Sequence, residues 1–273
     1  MRKNSIICNY PGLALAITAL FASINACATL VEKSIPVSDV DVQYMLVLPD
    51  GYDQALEYPA IIAFGGGQQT MGTVQSLLDR SLQQEAEQRG YIVIAPAAPD
   101  SELFFLGGDR IFPEFLDAML RDYRVTDGKF HVVGVSNGGI AALHVAATNP
   151  DYFVSVTAFP GYMWQPNEQK LLAIAKMCVF MYVGELDRYR WHGEMKREAE
   201  FLQAQGAVAK YTVELGQPHG IETLRGANAG RLFDDFAATH QGCTNSPEDS
   251  SSPGSTGTSP SSRLMDFNIR PPF

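Results

Sequence analysis

Cysteine is scarce in this chain, and the chemistry missing around it narrows the field first. Four cysteines, Cys8, Cys27, Cys178 and Cys243, occur in 273 residues. None forms a C-x-x-C pair, and no His/Cys pair stands at ligand spacing, so no metal site is expected. Cations are short as well. Lys and Arg total 20 against 30 Asp and Glu, a net charge of −10. A surface of that sign repels phosphate backbones, so nucleic acid is not an expected partner. Charged residues make up 18% of the chain and hydrophobic ones 46%, a globular balance with length for one sizeable core. No internal repeat is apparent.

A membrane-spanning run is missing too. The N-terminal apolar stretch GLALAITALFASI, residues 12–24, falls short of the ~20 residues a bilayer requires. Behind Arg2 and Lys3 it has the layout of an export signal. The boundary reads two ways. Ile24-Asn25-Ala26-Cys27 resembles the bacterial lipoprotein box, in which the cysteine is lipidated, although Asn25 departs from it. Ala26-Cys27-Ala28 also fits an ordinary signal-peptidase site. The expectation is a leader over 1–27 and a cell-envelope protein held to the membrane by a lipid on Cys27, or otherwise a secreted one. An exported chain can pair Cys178 with Cys243. In MCVFMYVG, Cys178 reads equally as a small buried hydrophobe. From residue 244 the chain turns Ser/Pro/Gly/Thr-rich, which predicts disorder over 244–273.

Between these ends, over 28–243, one domain is expected. Strands are predicted at 42–48, 59–64, 91–99, 130–135, 153–161, 179–184 and 210–215. Helices are predicted at 73–89, 113–121, 137–148, 166–176, 193–205 and 221–239. Apolar strands alternating with helices indicate an α/β fold, a mostly parallel doubly wound sheet with helices on both faces. Sites in such sheets form beyond the carboxyl ends of the strands.

Those ends carry the chemistry. Gly134-Val135-Ser136-Asn137-Gly138 is a G-x-S-x-G between a strand and a helix. A serine on so sharp a turn is presented above the sheet, and the flanking glycines avoid a collision inside the turn. A hydroxyl needs a base. His219, in ELGQPHGIET after the last strand, stands where a base reaches back to Ser136, and His192 is its runner-up. His131, His144 and His240 read as packing or surface residues. For the acid, Asp187 in VGELDRY follows the preceding strand, with Glu185 the alternative. An oxyanion needs preorganised donors. The amide of Asn137 is one, and Gly66 or Gly67 in the loop after the 59–64 strand supplies the other. No Lys-Ser/Thr follows that loop, which argues against a phosphate cradle. Gln68, Tyr162, Met163, Trp164, Tyr189 and Trp191 stand at strand ends, where they either line a substrate pocket or pack surface loops.

The elbow GVSNGG, the post-strand GELD and the PHG, in that order, resemble the α/β-hydrolase superfamily over roughly residues 40–240. LPDGYD and FGGGQ are similar to the small esterases related to polyhydroxybutyrate depolymerases and feruloyl esterases. The chain departs from that group at Phe64, where its oxyanion loop has a histidine. The resemblance implies a carboxylic ester hydrolase with the triad Ser136, Asp187 and His219, working without cofactor or metal on a small-molecule or oligomeric ester. A peptidase or thioesterase on the same fold and a non-catalytic envelope binding protein are the alternatives. The 98–112 connection is too short for a large lid.

Overall fold

The computed structural model describes residues 29–240 and residue 242. The leader, Cys27, Cys243 and the 244–273 tail lie outside the described residues. The chain opens on two antiparallel strands, β1 Thr29–Val37 and β2 Val40–Leu48. Six strands follow: β3 Tyr58–Phe64, β4 Ile92–Pro96, β5 Val125–Gly134, β6 Phe153–Ala158, β7 Cys178–Gly184 and β8 Ala209–Glu214. They form one eight-stranded sheet ordered β1-β2-β4-β3-β5-β6-β7-β8. β2 pairs antiparallel with β4, and every pairing from β4 through β3 to β8 is parallel.

The apolar strands are covered on both faces. Along β3, Ala60, Ile62 and Phe64 enter one core while Ile61 and Ala63 enter the other. The first core is closed by α3 Phe112–Asp122, α4 Asn137–Thr148, α5 Glu168–Ile174 and α6 His192–Ala204. The second is closed by α1 Met71–Leu77, α2 Gln83–Arg89 and α7 Gly230–Thr239. This is the predicted doubly wound α/β sheet.

The elements differ from expectation where local chemistry intervenes. β1 was not anticipated. It is an edge strand whose Glu32, Lys33 and Pro36 are exposed, so its sequence lacks the alternation of a half-buried strand. The single helix expected over 73–89 is α1 and α2 joined by a π-helical turn at Leu78–Leu82. The helix expected over 221–239 begins only at Gly230. Two 3₁₀ turns precede it, and Gly226, at φ +54°, breaks the helical path between them. Cys178 opens β7, buried and disulfide-bonded, with its partner outside the described residues.

Candidate active site

The turn from β5 into α4 sets the site. Ser136 sits at φ 59°, ψ −124°, a conformation costing roughly 1–3 kcal/mol for a residue with a side chain. The surroundings hold it there. Its amide donates to Pro160 O at 2.8 Å, and its carbonyl accepts from Ile140 N at 3.1 Å. The flanking glycines are steric necessities. A Cβ on Gly134 would lie 2.0 Å from Gly138 O, and one on Gly138 would lie 2.1 Å from Phe64 O. Both obstacles are backbone, so neither can move aside cheaply.

Two loops bring the partners. His219, between β8 and α7, places Nε2 2.8 Å from Ser136 Oγ. Its Nδ1 lies 3.0 Å from Asp187 Oδ1, on the turn after β7. With Nδ1–H donating to the carboxylate, Nε2 is left to accept the serine proton. The acid and histidine loops touch backbone to backbone. Leu186 N donates to Gln217 O at 2.8 Å, and a Cβ on Gly184 would meet Pro218 O at 2.2 Å. Asp187 is 4% exposed. Burial pushes its carboxyl up. The His219 bond and the amides of Tyr189 and Trp191 outweigh that and hold it below the ordinary Asp range. The carboxylate therefore stays ionised beside the imidazole.

The alternatives go elsewhere. Glu185 turns outward, and its Oε2 accepts from Gly216 N at 2.8 Å. His192 opens α6, where its carbonyl accepts from Tyr211 Oη. His144 pairs with Asp109 at 2.9 Å, pinning the 108–111 turn to the elbow helix. His131 bonds Ser155 at the opposite end of the sheet.

The loop after β3 closes the far side. Gly66 lies against the elbow: its absent Cβ would stand 3.4 Å from Ser136 Cβ and 3.1 Å from Val135 O. Gly67, at φ +57°, faces only Thr73 at such range. Asn137 is the first residue of α4, and the first amides of a helix have no intrahelical acceptor. Its side chain donates to Gly67 O at 2.9 Å. Phe64 is fully buried against Phe104 and Phe112, at centroid distances of 5.1 and 5.4 Å. Aromatic packing thus supports the loop at the position where the resembled esterases carry histidine.

The aromatic candidates divide. Trp191 packs its edge on the His219 ring at 4.9 Å and meets Tyr162 at 5.1 Å. Both are buried, and burial pushes the Tyr162 phenol up to about 12. Trp164 is half-buried against Phe105, and Gln68 is exposed. Tyr189 stands with them, as a strand-end aromatic the sequence already offers, whereas Gln69 and Glu198 escape the sequence reading. Tyr189, half exposed, lies 4.6 Å from the His219 ring. Gln69 is wholly buried beside the exposed Gln68. Glu198 is buried beneath the loop after β6, where both its oxygens accept from Met163 N at 3.0 Å. The stripe Met195, Glu198, Ala199 and Leu202 on one helix face was the available signal for Glu198. Among the described residues no group of three or more His, Cys, Asp or Glu is arranged to hold a metal ion.

Comparison with known proteins fits this geometry. The Esterase family model matches residues 110–226, from the turn before α3 to the turn past His219. No curated relative matches the sequence. Among solved structures, a thermostable esterase superposes with a TM-score of 0.60 at 16% identity, covering 75% of this chain and 62% of that one. The chain therefore spans about three fifths of that esterase's length. A mutant of the feruloyl esterase module from Clostridium thermocellum, complexed with sinapinate, gives 0.55 at 17%, covering 70% and 82%. The Pyrococcus horikoshii acylaminoacyl peptidase gives 0.57 at 14%, covering 77% and 41%. At such identities the superpositions establish the fold. The chain has the α/β-hydrolase fold, and its residues 110–226 match the Esterase family model.

Proposed function

We propose that the protein cleaves carboxylic esters through an acyl-enzyme on Ser136. The observation that carries this reading is the continuous chain Ser136–His219–Asp187, with links of 2.8 and 3.0 Å and the serine in its strained turn. As Ser136 Oγ attacks the ester carbonyl carbon, His219 Nε2 takes the hydroxyl proton. The carbonyl oxygen becomes an oxyanion facing the Asn137 amide and the Gly66 amide, which the close approach of Gly66 to Ser136 favours over Gly67. Asp187 holds the imidazolium in orientation. The intermediate collapses, the ester C–O bond breaks, and the imidazolium returns the proton to the departing alkoxide. Water then attacks the acyl carbon and gives its proton to His219, which passes it to Ser136 as the carboxylic acid leaves. Tyr189 and Trp191 flank the imidazole, which supports an acyl or alcohol group of some apolar area.

The same triad hydrolyses amides and thioesters on related geometries, but the matched esterase segment favours esters. We further propose, from the leader composition and Cys27, that this activity is carried out in the cell envelope or outside the cell. A fluorophosphonate probe tests the chemistry. The peptide containing Ser136 should gain the phosphonyl mass, and p-nitrophenyl butyrate turnover should fall with labelling. Label on another residue, or turnover that survives full labelling, overturns the assignment.

A further inference from the structure

Gln69 has no part in the proton chain, yet its side chain is among the most completely enclosed polar groups in the molecule, at 0% exposure. It adopts φ +54°, a region side chains seldom occupy. Every polar part of it is used. Its amide donates to Gly66 O at 3.1 Å, and its carbonyl accepts from Ala98 N at 2.8 Å. Its side-chain Oε1 accepts from Phe104 N at 2.9 Å. Its Nε2 donates to the backbone carbonyl of Asn137 at 3.4 Å. A second bond crosses this last one in the opposite direction, from Asn137 Nδ2 to Gly67 O at 2.9 Å.

The two crossed bonds join the two segments that supply the oxyanion amides. One segment is the 65–69 loop and the other is the first turn of α4. The segments are separate in sequence, and the backbone bonding between β3 and β5 ends just before them, with Val135 N donating to Phe64 O at 3.3 Å. A trans peptide fixes its N–H opposite its C=O. The carbonyls of Gly66, Gly67 and Asn137 share their peptide planes with the N–H groups of Gly67, Gln68 and Gly138, which adjoin the two oxyanion amides, so the bonds fix the separation of the two segments rather than the direction of either amide. Phe104 adds the third anchor: its N–H is held by Gln69 while its ring packs on Phe64 at the end of β3. A loop that only had to be folded would be served by the backbone bonds and this aromatic packing. It would not need a buried carboxamide aimed at the elbow helix.

We infer that the side chains of Gln69 and Asn137 form a crossed brace that sets the spacing of the two oxyanion amides, so that both are positioning residues for the transition state. This rests on the reading of Ser136 as the nucleophile. The ground-state ester makes weak use of those amides and the oxyanion strong use. The brace should therefore act on kcat rather than KM. Gln69→Met keeps length and volume but removes the donor and the acceptor. Asn137→Ala removes the crossing bond and leaves the Asn137 amide in place.

The measurement is steady-state hydrolysis of p-nitrophenyl butyrate by the full chain, with active sites titrated by the fluorophosphonate. Inhibition by an alkyl trifluoromethyl ketone, which adds to the serine as an oxyanion, is measured alongside. Each variant should lose about 10- to 100-fold in kcat per titrated site, with KM within about threefold, because sub-ångström misplacement has effects of that order. Ketone affinity should fall by the same factor as kcat, and product carboxylate affinity should stay unchanged. The double variant should lose little more than the worse single one, since the bonds brace one gap. Phe236→Leu in α7, outside the site, provides the contrast: it should lower Tm and leave kcat per site intact. Should Gln69→Met fail to fold, Asn137→Ala alone still has to show the matched loss in kcat and ketone affinity. A kcat loss without loss of ketone affinity, or unchanged kcat in a folded variant, overturns the brace. Ser136→Ala separates the two layers. Retained turnover there overturns the nucleophile, whereas lost turnover there with unaltered Gln69→Met kinetics overturns only the brace.

Discussion

Two serine–histidine hydrogen bonds of nearly equal length occupy opposite ends of one sheet. At the carboxyl end, Ser136 Oγ and His219 Nε2 stand 2.8 Å apart, and at the amino end Ser155 Oγ and His131 Nδ1 stand 2.7 Å apart. Everything around the bonds differs. Ser136 is forced into a strained turn at a helix N-terminus, with glycine backbone beside it. Ser155 lies in regular β6, wholly buried. His219 is oriented by Asp187 and remains accessible, with 17% of its side chain exposed. His131 is 1% exposed and faces Phe236, Tyr91 and the His240 ring. Burial, with His240 adding to it, drives its pKa down to about 3. It is a neutral core residue at any physiological pH. A serine bonded to a histidine is therefore no nucleophile by that fact. Accessibility, an orienting carboxylate and donors for the developing charge separate the two pairs.

The sharpest break in this comparison is alanine at each serine. Ser136→Ala should reduce kcat on p-nitrophenyl butyrate by about 10⁴-fold or more, since members of such triads act as a unit. Ser155→Ala should leave kcat unchanged and lower stability by about 1–3 kcal/mol, because His131 Nδ1 is left buried without a partner. The reverse pattern would exchange the roles of the two ends. Next in size is Asp187→Asn. It should cost about 10⁴-fold in kcat with the fold intact, because the amide no longer selects the tautomer with Nδ1–H. A loss of under about tenfold would show that the carboxylate is dispensable.

The third break concerns the backbone. Gly138→Ala puts a methyl 2.1 Å from Phe64 O and should cost more than about 3 kcal/mol by thermal or urea unfolding. Gly128→Ala is the matched contrast. It stands at φ +62° in open space near the start of β5 and should cost only about 1 kcal/mol. Similar losses at the two positions would mean that the elbow is not sterically closed.

The elbow was legible because its demand is local. A strand, a serine between glycines and a helix lie within a dozen residues, and the candidate acid Asp187 and base His219 follow the ends of the apolar β7 and of the half-polar β8. The doubly wound sheet was legible for the same reason, since strands buried on both faces are apolar throughout. What escaped depends on folding in three dimensions. Nothing in Gly67-Gln68-Gln69-Thr70 says which glutamine turns inward, because the loop has no period. Phe64 could be seen to replace a histidine, but its packing on Phe104 arises from a segment forty residues away. Glu198 sits in a helix rich in charge, and its burial was visible only as a carboxylate on an otherwise apolar stripe. β1 was hidden by its own exposed edge.

The finest test uses Glu198 and His131, which oppose each other in pH. Burial raises the Glu198 carboxyl to about 8, with the Met163 N–H bond working against the rise. Between its unfolded pKa, about 4.3, and about 8, the folded chain holds a proton that the unfolded chain has lost. Stability contributed by Glu198 therefore falls as pH rises through that window. His131 behaves oppositely. Between about 3 and 6.5 the unfolded chain binds the proton and the folded chain does not, so its contribution rises with pH. From about pH 4.3 to 6.5 the two slopes offset, and unfolding free energy should be nearly flat as far as these groups determine it. Glu198→Gln removes one slope. Its stability should climb steadily from pH 4.5 to 6.5, and the wild-type decline between pH 6.5 and 8 should disappear. His131→Phe removes the other and should leave a monotonic fall from pH 4.5 to 8. Because His131 lies at the far end of the sheet, its replacement should not shift the pH profile of kcat/KM. Glu198 holds Met163 in the loop whose Pro160 carbonyl receives the Ser136 amide. Ionisation there can loosen the elbow's support, so Glu198→Gln should extend the alkaline limb of the kcat profile. An unchanged alkaline limb with the expected stability curve would confine Glu198 to the core, on the same footing as His131.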